Sequence, residues 1–394
     1  MRAAPLIALV AWALSGCSSS APGGTLPIDD ASTITPPGGD AGATDASATD
    51  VGATDASGSV DSASRGSSDA TTPPPTDAGS DATSCAGCAR DWGQFPAIAQ
   101  LDGVSELWVL SDAHGDYAAL TQLLTGGGIL AAAPDVPAHA RWSAGRAALV
   151  VVGDLIDKGP DAPDVVRLMI ALSASASAAG GHVVVTMGNH EAEFLADPNN
   201  SKATATDGID PELTAIGLTP AQTAAGNDDI GLFVRDLPFA ARVDGWFFVH
   251  GGDTGGRTLA QLDGDLRSGI DASGFGATVL SDPASMLEAR LSKTGPQWWD
   301  ATGDAQTLLS QWTAALGCSH LVMGHQPGVV AFADGTTRSR DVMTQAYGGL
   351  LFLVDTGMSV DVDATGGALL HVLGAGSASE SWQEVLPNGT TQSL

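Results

Sequence analysis

Basic residues are scarce in this chain. Lys and Arg total 16 against 45 Asp and Glu, a formal charge of −29 over 394 residues. That deficit of positive charge argues against nucleic acid or anionic lipid as an electrostatic partner, and it says little about fold. Cysteine is scarce too: Cys17, Cys85, Cys88 and Cys318 are too few for a disulfide scaffold. The apolar run inside Met1 to Cys17 is too short to span a bilayer. From Ser18 to about Ser84 aromatics are absent and apolar bulk is sparse, so no core there can offset the entropy of ordering. With that region set aside, a hydrophobic content of 43% can build a substantial core. The length allows one large domain with appendages, or two domains.

The N-terminus reads MRAAPLIALVAWALSGC, with Arg2 as a short basic region. Its end, Leu14-Ser15-Gly16-Cys17, resembles the bacterial lipobox, and the polar run SSSAPGG follows at once. An ordinary signal peptide that contains a cysteine is the alternative. The resemblance implies cleavage before Cys17 and lipid on its thiol. The expectation is an exported lipoprotein anchored to the bacterial cell envelope, at the periplasmic face or cell surface, with membrane contact through that lipid. Residues 1–17 are then the signal peptide, 18–84 a disordered tether and 85–394 the catalytic domain. Within the tether GATDAS occurs at Gly42–Ser47 and at Gly52–Ser57, and its repelling Asp residues keep the chain extended. For Cys85-Ala86-Gly87-Cys88 no second CxxC completes a zinc site and no strand precedes it, so a local disulfide is expected. Cys318 reads as an inert buried thiol.

What is abundant is one construction, repeated. Leu149-Val150-Val151-Val152 ends abruptly at Gly153-Asp154, which reads as a buried parallel strand delivering a carboxylate at its C-terminal end. Asp157, Lys158 and Gly159 follow. Leu107–Leu110 leads in the same way into Ser111-Asp112-Ala113-His114-Gly115-Asp116, and Val183–Val185 into Gly188-Asn189-His190-Glu191. Trp246–Val249 leads into His250-Gly251-Gly252, and Leu321–Met323 into Gly324-His325-Gln326. Open α/β sheets place their chemistry at such strand ends. Helical spacing is read at Tyr117–Leu124, Pro163–Ala179, Leu259–Leu266 and Pro283–Leu291. The stretch from about 194 to 244 is too long for a simple connection and is expected to form a helical cap with substrate contacts. Strands are expected at Val329–Ala333, Gly349–Val354 and Ala368–Leu373.

Taken in order, DxHG, GDxxDxG, GNHE, HGG and GHQ resemble the calcineurin-like metallophosphoesterase superfamily. Within it they look most like phosphoprotein phosphatases of the bacterial Shewanella-like branch. GHQ-Pro lacks the second histidine of the common GHxH ending, and Val354-Asp355-Thr356-Gly357-Met358-Ser359 resembles a C-terminal signature of that branch. The resemblance spans about Trp92 to Ser359. It implies an α/β fold of two packed mixed β-sheets flanked by helices. It also implies two divalent or trivalent metal ions, Mn, Fe or Zn, which suit mixed carboxylate, amide and imidazole donors. Asp112 and His114 would hold the first ion, Asp154 would bridge, and Asn189, His250 and His325 would complete the second site. Such a pair can share a hydroxide that attacks phosphorus in line. His190 would act as general acid with Asp157 orienting it, and Lys158 would serve the substrate phosphate. Asp116 and Glu191 would support the ligands.

Two positions depart from the family pattern. Lys158 stands where an arginine is usual, replacing a planar fork by a point charge. In Gly295-Pro296-Gln297-Trp298-Trp299-Asp300 an acid stands where relatives carry arginine, which leaves Arg257, Arg290 and Lys293 as candidate replacement cations. The expected activity is hydrolysis of a phosphorylated substrate, a phosphoprotein or small phosphoester. The alternatives are a nucleotide or dinucleoside polyphosphate hydrolase, and a metal-binding surface module that has lost catalysis. Oligomeric state has no signature in the sequence.

Overall fold

The computed structural model describes residues 90–294, 296–300 and 304–394. The lipobox, the tether and the Cys85/Cys88 pair lie outside these described residues. The first half of the domain runs β1 (Ile98–Leu101), β2 (Glu106–Leu110), α1 (Tyr117–Gly126), β3 (Ala148–Val152), α2 (Ala162–Ala179), β4 (His182–Thr186) and α3 (Asn189–Ala196). Next come α4 (Ile209–Ala215), α5 (Pro220–Ala224), α6 (Asp229–Asp236), β5 (Ala240–Val243), β6 (Trp246–Val249), α7 (Leu259–Ser273), α8 (Thr278–Ser281) and α9 (Ala305–Ala315). The chain closes with β7 (His320–Met323), β8 (Val330–Ala331), β9 (Thr337–Arg338), β10 (Thr344–Ala346), β11 (Leu351–Leu353), β12 (Leu369–Leu373), β13 (Ser381–Val385) and β14 (Thr391–Gln392).

Two six-stranded mixed sheets result, ordered β14-β13-β12-β2-β3-β4 and β1-β5-β6-β7-β11-β10. In the first, β2, β3 and β4 are parallel neighbours and β12 joins antiparallel to β2. In the second, β6, β7 and β11 run parallel. The apolar runs are continuous because the central strands are covered on both faces. Leu107, Val109, Ala148, Val150 and Val152 point to the interior between the sheets, where Phe248, Val322 and Phe352 meet them. The alternate residues Trp108, Leu110, Leu149 and Val151 belong to the core that includes α1 and α2. Val165, Val166, Leu168, Met169 and Leu172 of α2 are wholly buried there.

Three expectations change. Pro283–Leu291 is not a helix. Ser285 Oγ accepts from the backbone N–H of Leu287 and Glu288, and the Met286 carbonyl accepts from Gly251 and Gly252, so the segment's bonding is spent on local turns and on the β6 exit loop. The stretch 194–244 does carry α4, α5 and α6, but Ala240–Val243 is a sheet strand paired with β1 and β6. Finally β13 and β14 extend the first sheet beyond the last strand read from sequence.

Candidate active site

The five glycine-flanked strand ends converge. Asp112 and His114 leave β2, Asp154, Asp157 and Lys158 leave β3, and Asn189 and His190 open α3 after β4. From the second sheet, His250 leaves β6 and His325 leaves β7. The exit turns are tied together by main-chain bonds, His114 N to Asp154 O at 3.0 Å, Gly115 N to Leu155 O at 2.8 Å and Gly324 N to His250 O at 3.0 Å. Asp112, His114, Asp154, Asp157, Lys158 and His325 all take left-handed backbone, with φ from 45° to 69°. Such conformations cost an L-residue roughly 1–2 kcal/mol each, and here they turn side chains inwards together. Gly188 is required by the same crowding, because a Cβ there would collide with Asp154.

All the converging groups are buried except Lys158, which is half-buried. Asp154 Oδ2 lies 3.2 Å from His250 Nε2, 3.7 Å from His114 Nε2 and 3.9 Å from His190 Nε2. His114 Nε2 is also 3.9 Å from Asp112 Oδ2. His250 Nδ1 donates to Val152 O at 2.9 Å and His114 Nδ1 to Ile156 O at 3.2 Å, so backbone carbonyls aim both Nε2 atoms at the centre. His325 Nδ1 faces His250 Nε2 at 3.0 Å, and its Nε2 is buried without a partner. The Asn189 oxygen faces His250 Nε2, His325 Nδ1 and Asp154 Oδ2, each at 3.2 Å. Acceptors that face one another around a common point have no mutual bond to make, whereas a cation satisfies them all. Two groups, His114 with Asp154 and His190, and Asp154 with His250 and His325, have ligand atoms spaced for a metal ion, and Asp154 belongs to both. The residues present therefore fit metal binding.

The electrostatics carry the same mark. Burial lowers His114 to about 3 and His325 to about 2, against ordinary imidazole values. Burial works in the same direction at His250, but Asp154 and Asp112 outweigh it and raise it to about 10. Burial, with Asp355 next, pushes Asp112 up, whereas three imidazoles overcome burial at Asp154 and hold it down. Positive charge is what this cavity lacks.

His190 Nδ1 contacts Asp157 Oδ2 at 2.7 Å, and the other Asp157 oxygen accepts from Ile209 N of α4 at 2.9 Å. Lys158 Nζ is 3.5 Å from His114 Nε2. Glu191 binds no side chain of the cluster; it accepts from the backbone N–H of Gly188, Asp154, Leu155 and Ile156. Burial and Asp154 raise it to about 7 in spite of those bonds. Asp116 caps α1 through Ala119 N at 2.9 Å and accepts from Val360 N. His182 and His320 stand apart, His320 stacking on Trp246 and pairing with Glu380.

One Asp300 carboxylate oxygen accepts from Gln297 N at 2.7 Å, and the other is buried without a partner. Of the candidate cations, Arg257 is committed to Thr254 O and Asp265, Lys293 is exposed, and Arg290 donates to His325 O at 3.3 Å. Sequence reasoning passed over Glu193, Lys202 and Glu288, which gather behind Asn189, and Arg338, which is buried and donates to Gln326 O, Asp355 O and Val342 O. Glu193 could have been found, being four residues beyond Asn189 on a helix. Cys318 is a free half-buried thiol, raised to about 12 by burial.

A family model for calcineurin-like phosphoesterases matches residues 106–328. A cold-active protein tyrosine phosphatase structure superposes with a TM-score of 0.55 at 21% identity, covering 76% of this chain and 82% of that one. The cold-active protein-tyrosine phosphatase of a psychrophile, Shewanella sp., gives 0.54 at 22% identity, over 76% and 83%. An uncharacterised protein of Schizosaccharomyces pombe is 36% identical over 85 residues, 22% of this chain. That match spans 24% of the yeast protein's length.

Proposed function

The chain belongs to the calcineurin-like phosphoesterase family, and from that membership we propose a metal-dependent phosphomonoesterase of the phosphoprotein phosphatase type. The observation that carries this reading is Asp154, a carboxylate that belongs to both groups of ligand atoms and whose Oδ2 lies within 3.2–3.9 Å of His250, His114 and His190. Asp112, His114 and Asp154 would hold one ion. Asp154, Asn189, His250 and His325 would hold a second, with Mn, Fe or Zn suited to this mix of oxygen and imidazole donors. Bound there, the ions would supply Lewis acidity and lower the pKa of water for attack on phosphorus.

The protein's own groups handle the leaving oxygen and the phosphate. As the P–O ester bond breaks, the departing oxygen takes a proton from His190 Nε2. The Asp157 carboxylate accepts from Nδ1–H at 2.7 Å, fixes the ring and stabilises the imidazolium before transfer. We assign His190 as acid rather than ligand because Asp157 holds its Nδ1 and leaves Nε2 to face the departing oxygen. Lys158, beside His114, offers its ammonium to the phosphoryl oxygens. That the substrate is a phosphoprotein, phosphotyrosine included, is supported by the named activity of the two structural neighbours and by the sequence signature. The lipid anchor on Cys17 and the tether over 18–84 belong to the same proposal on sequence grounds.

The test is p-nitrophenyl phosphate hydrolysis with Mn²⁺, or Fe²⁺ with Zn²⁺, beside Asp154→Asn and His190→Ala. Turnover that needs metal and collapses with Asp154→Asn is expected. Two ions bound without turnover of any phosphoester would replace the enzyme reading by that of a metal-binding module.

A further inference from the structure

Asn189 has an outward face that the reaction does not use. Its Nδ2 points to Glu193 Oε1 at 3.5 Å and Glu288 Oε2 at 3.4 Å. Glu193 sits one turn further along α3, and Glu288 comes from the irregular segment after α8. Lys202, from the loop between α3 and α4, reaches Glu193 Oε1 at 2.7 Å. Its Nζ also lies 2.9 Å from the Asn189 amide nitrogen.

With nothing else in the cavity, an amide placed this way prefers to turn over. Its nitrogen would then donate to His250, His325 and Asp154, and its oxygen would accept from Lys202. A cation among those three residues reverses the preference, because only the amide oxygen can coordinate it. The nitrogen then needs acceptors on the outward side. Among the described residues those are Glu193 and Glu288, with Lys202 offsetting the charge of two carboxylates so close together.

We propose that Glu288 and Glu193 are positioning residues that hold Asn189 with its oxygen turned toward the second metal. This rests on the metal reading above. Outer partners of this kind typically change metal affinity by about 10- to 100-fold. They act before substrate arrives, so kcat at saturating metal is little affected.

The experiment is calorimetric titration of Mn²⁺ into the chelator-treated full chain, for wild type, Glu288→Asp and Glu288→Gln. Thermal unfolding without metal is recorded beside it. Glu288→Asp keeps the charge and loses the reach; Glu288→Gln loses the charge and keeps an acceptor at the right place. Positioning predicts that Glu288→Asp weakens one of two binding events by about tenfold or more and Glu288→Gln by less, with the metal-free unfolding temperature unchanged. Added Mn²⁺ then restores kcat, with KM for substrate unmoved. If Glu288→Asp lowers the metal-free unfolding temperature, Glu193→Asp carries the same expectation. A wild-type affinity in Glu288→Asp alongside a weakened Glu288→Gln assigns the effect to charge alone and overturns positioning, as does an unchanged affinity in both. Absence of Mn²⁺ binding in wild type overturns the metal reading as well, so the two failures are distinct.

Discussion

At the scale of the residue, the His190–Asp157 pair makes a prediction about leaving groups. A nitrophenolate departs without help, whereas a phenolate or alkoxide needs a proton as the bond breaks. His190→Ala is therefore expected to slow phenyl phosphate and phosphoserine peptide by about 10²–10⁴ in kcat and p-nitrophenyl phosphate much less. Equal losses on all three would show that His190 does not supply that proton. The residues in this argument were legible from sequence because the chemistry needs them at fixed distances from a strand end. Asp154 and Asp157 are both displayed by one β3 exit turn, and Asn189 and His190 are adjacent. Lys202, Glu288 and Arg338 were not legible. Lys202 and Glu288 come from loops and Arg338 from the short strand β9, all beyond connections whose length is free, so no spacing announces them. Asp300 sits in a recognisable segment, and one of its carboxylate oxygens closes a local turn on Gln297.

At the scale of the element, the helices of the insertion lean on the exit loops. Ile209 N at the start of α4 donates to Asp157, and Glu212, one turn further, accepts from Ala162 N at the start of α2 at 2.6 Å. Burial raises Glu212 to about 8 from an ordinary 4.5, against that bond, with Asp161 and Asp157 adding repulsion. The folded chain thus keeps a proton that the unfolded chain releases between about pH 4.5 and pH 8. For such a raised carboxyl, stability falls as pH rises through this window. Glu212→Gln keeps an acceptor for Ala162 and removes the titration. Its urea midpoint is expected to match wild type near pH 5 and to exceed it near pH 8, and a lower midpoint at pH 8 would refute the assignment. Elements whose residues are buried on both faces, β2, β3, β6 and β7, were visible as apolar runs, because a strand between two cores has no polar face to show. Pro283–Leu291 misled because helical spacing of Met286, Leu287 and Leu291 arises equally when a loop buries those side chains against neighbours. β1 and β5 pair at a sheet edge with mixed burial, which leaves little pattern to read.

At the scale of the whole molecule, the site is where two sheets are joined by charge. Asp112, Asp154 and Asn189 hang from β2, β3 and β4 of one sheet, and His250 and His325 from β6 and β7 of the other. The apolar interior that includes Val109, Val150, Phe248, Val322 and Phe352 fixes how the sheets face each other. That interior is apolar and contains none of the ligand side chains, so the chelated chain is expected to remain folded. Its strand ends then hold a cluster of carboxylates and imidazoles whose mutual repulsion only protons relieve. A metal that binds the folded state alone stabilises it by about 4 kcal/mol at a thousandfold excess over Kd, which corresponds to roughly 10 °C in unfolding temperature for a large domain. Mn²⁺ is accordingly expected to raise the unfolding temperature of the chelated wild type by that order. Asp154→Asn, which removes the shared charge, should lose nearly all of the rise. His190→Ala divides the two roles open to that imidazole, which lies near enough to His114 and Asp154 to be counted among ligands. If His190 is the acid paired with Asp157, its removal leaves the Mn²⁺ rise intact while abolishing turnover of poor leaving groups. If the rise disappears as well, His190 holds metal and the proton donor must be sought elsewhere.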